Sequence, residues 1–313
     1  MFNRIAYHKF TDFRGFVFER EFEGKNLLNF EYKNIDFSEA IFRENANFSD
    51  MKITGNIKFD NVVFEKGVSF EDSVFEADCS FVGTEFSAKH MDDRIFQGVI
   101  FKGQDLIIKN ANNFPRMEYL LLSDYSKIVF ENVNYPKKYY DIGKINYRIA
   151  RNQSMKIGDY ERIGDYYYNE REYNSKLMKE SDFANRNEYL GERFFDIMAK
   201  YTTGYGEKPW NILIINITII SLFAFFYLFM GIKSQDNQMV SINILNIGRY
   251  GFFDVLNRYF HLWYYSLVTF FTVGYGDMTS TTAIGKIFSC VEVFLGVTMG
   301  AIWTSIIMKR MLR

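Results

Sequence analysis

Residues 35–86 read IDFSEAIFRENANFSDMKITGNIKFDNVVFEKGVSFEDSVFEADCSFVGTEF. Phenylalanine returns at alternating steps of five and six, at Phe37, Phe42, Phe48, Phe59, Phe64, Phe70, Phe75, Phe81 and Phe86, with Ile53 in the one place left open. Two positions earlier stand small or aliphatic side chains: Ile35, Ala40, Ala46, Ile57, Val62, Val68, Cys79 and Thr84. A helix repeats every 3.6 residues and a strand every 2, and neither produces these steps. A backbone that turns a corner about every fifth residue does. Four such sides make one coil, each side turning one Phe and one small residue inward, and stacked coils bond to one another at the strand spacing of roughly 4.8 Å.

On these residues the stretch resembles the pentapeptide-repeat family, over about residues 30–105 and more weakly from Lys89 to Arg94. The resemblance implies a right-handed quadrilateral β-helix, expected over residues 1–110. Every second unit has six residues, so irregular corners are expected there. In the first 110 positions acidic residues exceed basic ones by only about five, which reads as a solvated face rather than a mimic of DNA. The whole chain of 313 residues has a formal charge of -1, giving no field to attract nucleic acid. Cys79 and Cys290 lie in unlike regions and are expected as buried thiols, with no disulfide or metal site. The first 22 residues lack an apolar core and a cleavage site, so no signal peptide is expected and the N-terminus is read as cytoplasmic.

Residues 111–208 are expected to form a helical linker region. Charge, Tyr and Ala interleave there without Pro between Lys137 and Lys208, and Gly158-Asp159 marks a turn between two helices. Gly158 to Arg171 faintly resembles a tetratricopeptide helix pair, but packing against the end of the β-helix is the better expectation. Tyr166, Tyr167 and Tyr168 are assigned to that packing.

The mean hydropathy of -0.17 conceals an abrupt change at Trp210. Residues 210–232 carry no charge and are long enough to span a hydrocarbon core of about 30 Å. Trp210 suits an interfacial position, and Tyr227 suits either an interface or a neighbouring helix. A second span is expected over 283–308. Between them lie a polar loop, 233–258, a short apolar helix, 259–271, and Thr272-Val273-Gly274-Tyr275-Gly276-Asp277. With glycine at 274 and 276 the backbone can aim consecutive carbonyls one way, as a ring replacing an ion's water shell requires. Thr202-Thr203-Gly204-Tyr205-Gly206-Glu207 looks similar, but it lacks the Val and follows charged helix, so it reads as a juxtamembrane turn.

Residues 209–313 resemble the two-transmembrane potassium channels, whose filter carries the TVGYG sequence. The resemblance implies an all-α pore domain that assembles as a homotetramer in the lipid bilayer, and passive potassium conduction with potassium as permeant ligand and no cofactor. Thr272, Val273, Gly274, Tyr275 and Gly276 would form the filter, Asp277, Trp263, Tyr264 and Tyr265 would support it, and Gly296 and Gly300 would be gating hinges. Phe271 stands where a second Thr is common, and Val268 where some relatives have a glutamate, so inactivation behaviour does not carry over. Glu292, the one acid within a span, would either add charge near the cavity or hold a hydrogen bond behind the filter. No enzyme motif is present, His8, His90 and His261 are isolated, and the outer span has no Arg or Lys for a voltage sensor. Lys309, Arg310 and Arg313 suggest a cytoplasmic C-terminus in a multi-pass plasma-membrane protein. Regulation would enter through the N-terminal domain, whose ligand or partner the sequence leaves open. The alternatives are a membrane-anchored scaffold with little conduction and a less selective cation channel.

Overall fold

A computed structural model describes residues 12–24, 34–91, 94–236, 238–242 and 250–312. The readings made for residues 1–22, 89–94 and 233–258 fall partly outside these, and His8 lies outside them. The chain divides into two compact units, Met1–Arg193 and Phe194–Arg313.

The first unit is a β-solenoid. Its two-residue strands sort into four parallel sheets, one for each side of the coil. Ile35 pairs with Ile57 and Ile57 with Cys79, a register of 22 residues, two of the eleven-residue periods. Equivalent rings therefore lie one above another: Phe37 on Phe59 at 5.5 Å, Phe59 on Phe81 at 5.1 Å, Phe42 on Phe64 at 5.1 Å and Phe48 on Phe70 at 5.1 Å, all nearly parallel. The interior is this set of Phe columns, fully buried, with the small residues filling the space between. Cys79 is part of it, and burial pushes its thiol well above the usual range, with Asp60 and Asp78 adding to the effect.

The corners reverse the expectation of irregularity in the six-residue steps. Glu39, Asp50, Asn61, Asp72 and Gly83, all in five-residue steps, take left-handed φ of 63°, 57°, 55°, 54° and 69°. At three of them a β-turn closes behind, with the N–H groups of Ala40, Val62 and Ser73 donating to the carbonyls of Phe37, Phe59 and Phe70. The shorter side must turn in one residue fewer, and a positive φ at the third turn position does this. Asn and Asp tolerate that region best among residues with a Cβ.

The solenoid also runs past residue 110. Strands Asp105–Lys109 and Lys127–Glu131 extend one side, so the boundary between β-helix and linker is corrected to beyond Glu131. The reason is a change of register: Cys79 pairs with Leu106, a coil longer by the insertion that holds the short helix Ala88–His90. After it the inward residues include Leu106, Ile108 and Ile128, which a Phe ladder does not mark.

Two antiparallel helices, α1 (Tyr140–Ile157) and α2 (Tyr160–Leu177), cover the last coil. An open sheet edge would leave a row of unpaired backbone groups. Here side chains satisfy them. The Tyr166 hydroxyl accepts from the Phe130 N–H (3.1 Å) and donates to the Ile128 carbonyl (2.9 Å), while Tyr173 donates to the Val133 carbonyl (3.1 Å). Gln153 donates to the carbonyls of Ser123 and Ser126, and Asn146 bonds the Pro115 carbonyl and the Met117 N–H. Burial pushes the phenols of Tyr147 and Tyr166 up to about 12.

A third helix, α3 (Arg186–Thr203), precedes three helices of the second unit: α4 (Pro209–Tyr227), α5 (Phe252–Phe270) and α6 (Ala283–Met311). Among the described residues, α4 and α6 are long and apolar enough to cross a membrane. All three differ from the expected bounds. The outer helix stops at Tyr227 rather than 232, because Ile232–Ser234 pairs antiparallel with Met278–Ser280. The helix expected at 259 begins at Phe252. Its first turns carry Asp254, Asn257 and Arg258, which hide it from a reading of hydropathy. The inner helix continues to Met311.

Candidate functional site

The segment 272–277 leaves α5 without a break. The N–H groups of Phe271, Thr272 and Val273 still donate to Leu267, Thr269 and Val268, the last turn of the helix. Beyond it Gly274 and Gly276 have φ of 60° and 77°, which glycine adopts freely. Thr272, at φ 54°, is β-branched and strained there. Residues 271–276 are exposed in one copy of the chain, Val273 by 51% and Tyr275 by 70%, so no residue of their own chain buries them. The exit is anchored: the Asp277 carbonyl accepts from the Gln235 N–H at 2.8 Å, beside the antiparallel pairing of Ile232–Ser234 with Met278–Ser280.

The three aromatic residues among the four expected supports part ways. Tyr264 alone reaches the segment, its hydroxyl lying against the Asp277 carboxylate. Trp263 points to the outer helix, its Nε1–H donating to Ser221 Oγ at 3.1 Å. Tyr265 meets Ser289 of α6 at 3.0 Å and packs edge-on against Tyr227. Within one copy Trp263 and Tyr265 join α5 to the other two helices. Helical spacing explains this, since successive residues point about 100° apart.

Glu292 is fully buried among α4, α5 and α6. Ser266 of α5 hydrogen-bonds one carboxylate oxygen, and the Tyr227 hydroxyl of α4 donates to the other at 2.7 Å. Ser289 Oγ is 3.1 Å from that hydroxyl, and Ser266 also reaches the Ile220 carbonyl. Of the two readings open for Glu292, this geometry has the form of the hydrogen bond, and of the two for Tyr227, that of packing against a neighbouring helix. Cys290, two residues away on the opposite face, is exposed rather than buried.

Gly296 has a packing role. A Cβ there would overlap the Phe270 carbonyl, so its absence lets the end of α5 touch α6. Gly300 faces open space, and α6 is one continuous helix through both glycines. The second glycine-rich segment is a turn: Gly204, Tyr205 and Gly206 are left-handed, the Tyr205 hydroxyl bonds Asp196, and the nearly buried Glu207 accepts from Lys309 Nζ at 2.6 Å.

Residues 239–313 match the family model described as ion channel, and residues 37–85 match that of pentapeptide repeats, in 9 copies. The chain carries an ion-channel domain. Ahead of it stand pentapeptide repeats, and with its two apolar helices it is a membrane protein. Neither the curated proteins nor the solved structures contain a match.

No role for Ser221, Ser266 or Ser289 was read from the sequence. Their signal is their isolation: lone hydroxyls in apolar helices tend to bond across to a neighbouring helix.

Proposed function

We propose that the chain is one subunit of a homotetrameric, potassium-selective channel. The observation carrying this is the segment Thr272–Gly276, a glycine-bearing backbone between the two apolar helices that its own chain leaves uncovered. Irregular backbone within a bilayer must be buried in protein or line an aqueous path. One copy provides neither, and several copies around an axis provide both. The carbonyls of Thr272, Val273, Gly274 and Tyr275 would then ring the ion and replace its hydration shell. Apolar residues left open on α6, among them Ile287, Val291, Phe294 and Val297, fit neighbouring subunits and lipid.

Conduction is passive. Potassium is the permeant ligand, and the protein needs no cofactor. Lys309 and Arg310 at the end of α6 favour a cytoplasmic C-terminus, with the solenoid on the same side of the plasma membrane. The solenoid sets open probability through α3 and the turn before α4, so deleting residues 1–135 changes gating and leaves selectivity intact.

The test is potassium flux from proteoliposomes holding the purified full chain, with barium block and reversal potentials in mixed potassium and sodium. Barium-sensitive, potassium-selective flux that Gly276→Ala abolishes supports the reading. A membrane-anchored scaffold gives no flux, and a less selective cation channel gives equal potassium and sodium currents.

A further inference from the structure

The pore unit contains a feature that ion conduction as such does not require: a carboxylate sealed between three helices. Burying an acid in a membrane span is costly, and such residues persist where they are partnered and used. Glu292 is partnered on both oxygens, by Ser266 from α5 and Tyr227 from α4.

The spacing of these contacts is informative. Ser266 and Phe270 are four apart on α5, and Glu292 and Gly296 are four apart on α6. Ser266 meets Glu292, and one turn further on the Phe270 carbonyl meets Gly296. The two helices thus touch through a polar rung and a close-packed rung, one helical turn apart. Thr272, the first residue of the candidate filter, lies two residues past the second rung. A close contact without a side chain resists compression but not separation or rotation. Of these two rungs only the polar one can oppose those movements, through the hydrogen bonds that hold Glu292 to Ser266 and Tyr227.

We propose that Glu292 is a positioning residue that sets ion selectivity: with Ser266 and Tyr227 it fixes the rotation and depth of α5, and so the aim of the carbonyls that follow. This rests on the potassium-channel reading and deepens it. It assigns Glu292 no contact with the permeating ion. Ser289 and Tyr265 form an outer ring of the same network, and Tyr259, Trp263 and Ser266 also fasten α5 to Ser221 and Ile220 of α4.

The experiment uses the full-length protein in planar bilayers, comparing wild type with Glu292→Gln, Glu292→Leu, Ser266→Ala, Ser266→Thr and Tyr227→Phe. The readouts are the potassium-to-sodium permeability ratio, single-channel conductance, block by internal magnesium, and assembly by size-exclusion chromatography. Glu292→Leu and Ser266→Ala are expected to lower the permeability ratio by roughly several-fold, the factor associated with losing one hydrogen bond. Glu292→Gln and Tyr227→Phe fall less, Ser266→Thr restores the ratio by keeping the hydroxyl, and magnesium block stays at the wild-type level throughout. Should Glu292→Leu assemble and keep the wild-type ratio, or should block and conductance change while the ratio does not, the positioning role is overturned. If Glu292→Leu fails to assemble, Ser266→Ala and Ser266→Thr decide, since an unchanged ratio in Ser266→Ala also overturns it. A wild-type protein that passes no ions instead overturns the channel reading beneath it.

Discussion

The two units of this chain solve burial in opposite ways. The solenoid closes on itself: its Phe columns are fully buried by coils of the same chain, and side chains of α1 and α2 satisfy its last edge. The second unit is left open, with its glycine-bearing segment and an apolar side of α6 uncovered in a single copy. A closed fold is complete in one chain. An open one is a component, and the surface it leaves bare indicates what it is built to meet.

Separating the units probes this contrast most severely. Residues 1–193 expressed alone are expected to remain soluble and to melt cooperatively, followed by circular dichroism. Residues 194–313 alone are expected to require detergent and to migrate as an oligomer in it. A soluble, monomeric second unit would end the comparison.

Within the closed unit, the largest single-residue effect belongs to the ring columns. Phe59 stacks on Phe37 and Phe81 and is fully buried, so Phe59→Ala leaves a cavity in the middle of a column. A loss of about 3–5 kcal/mol is expected in urea unfolding of that unit. Deleting an exposed ring of the open unit, as in Phe253→Ala, is expected to leave that unfolding curve unchanged.

These two regions were legible in the sequence to different degrees. The solenoid was readable because each Phe repeats a local geometry, and the steps of five and six translate directly into four sides and a register of 22. Reading failed after the inserted helix Ala88–His90, where the spacing changes and aliphatic residues such as Leu106, Ile108 and Ile128 join Phe96, Phe101, Phe114 and Phe130 at the inward positions. In the pore unit the glycine-bearing hexapeptide and the two spans were visible because composition alone marks them. Which helix face each side chain occupies was not. Trp263, Tyr264 and Tyr265 are adjacent in sequence and point to three different neighbours, and Glu292 was undecided between cavity and interior. Those outcomes depend on how three helices rotate against one another, and periodicity in any one of them carries no such information.

A smaller effect tests the seal on the closed unit. Tyr166→Phe keeps the ring but leaves the Phe130 N–H and Ile128 carbonyl unpaired, and about 1–3 kcal/mol of stability should go with the hydroxyl. The same seal gives a pH signature. Burial raises the phenols of Tyr147 and Tyr166 from 10 to about 12, so the folded state holds protons that the unfolded chain releases. Their contribution is fully present below pH 10 and is lost as pH rises through 12. Thermal melts across pH 9–12 should therefore show falling stability in the wild type, with a shallower fall in Tyr166→Phe.

The smallest effect expected lies at the C-terminal end of α6, where Lys309 Nζ meets Glu207 at 2.6 Å. The pair is lopsided: the Glu207 side chain is 4% exposed and that of Lys309 42%. Solvent screens the lysine, so the attraction itself is worth about 1 kcal/mol or less. The consequences of breaking the pair still differ by partner. Glu207→Gln removes the buried charge and retains a group able to bond, whereas Lys309→Met strips a cation from a carboxylate that has little access to water. Lys309→Met should accordingly perturb the turn that leads into α4 more than Glu207→Gln does. In bilayer recordings this is expected as a change of a few-fold in open probability for Lys309→Met and less for Glu207→Gln, the permeability ratio being unaffected in both. The reverse order would mean that the Glu207 charge itself, rather than the loss of this one cation beside it, governs that end of the pore unit.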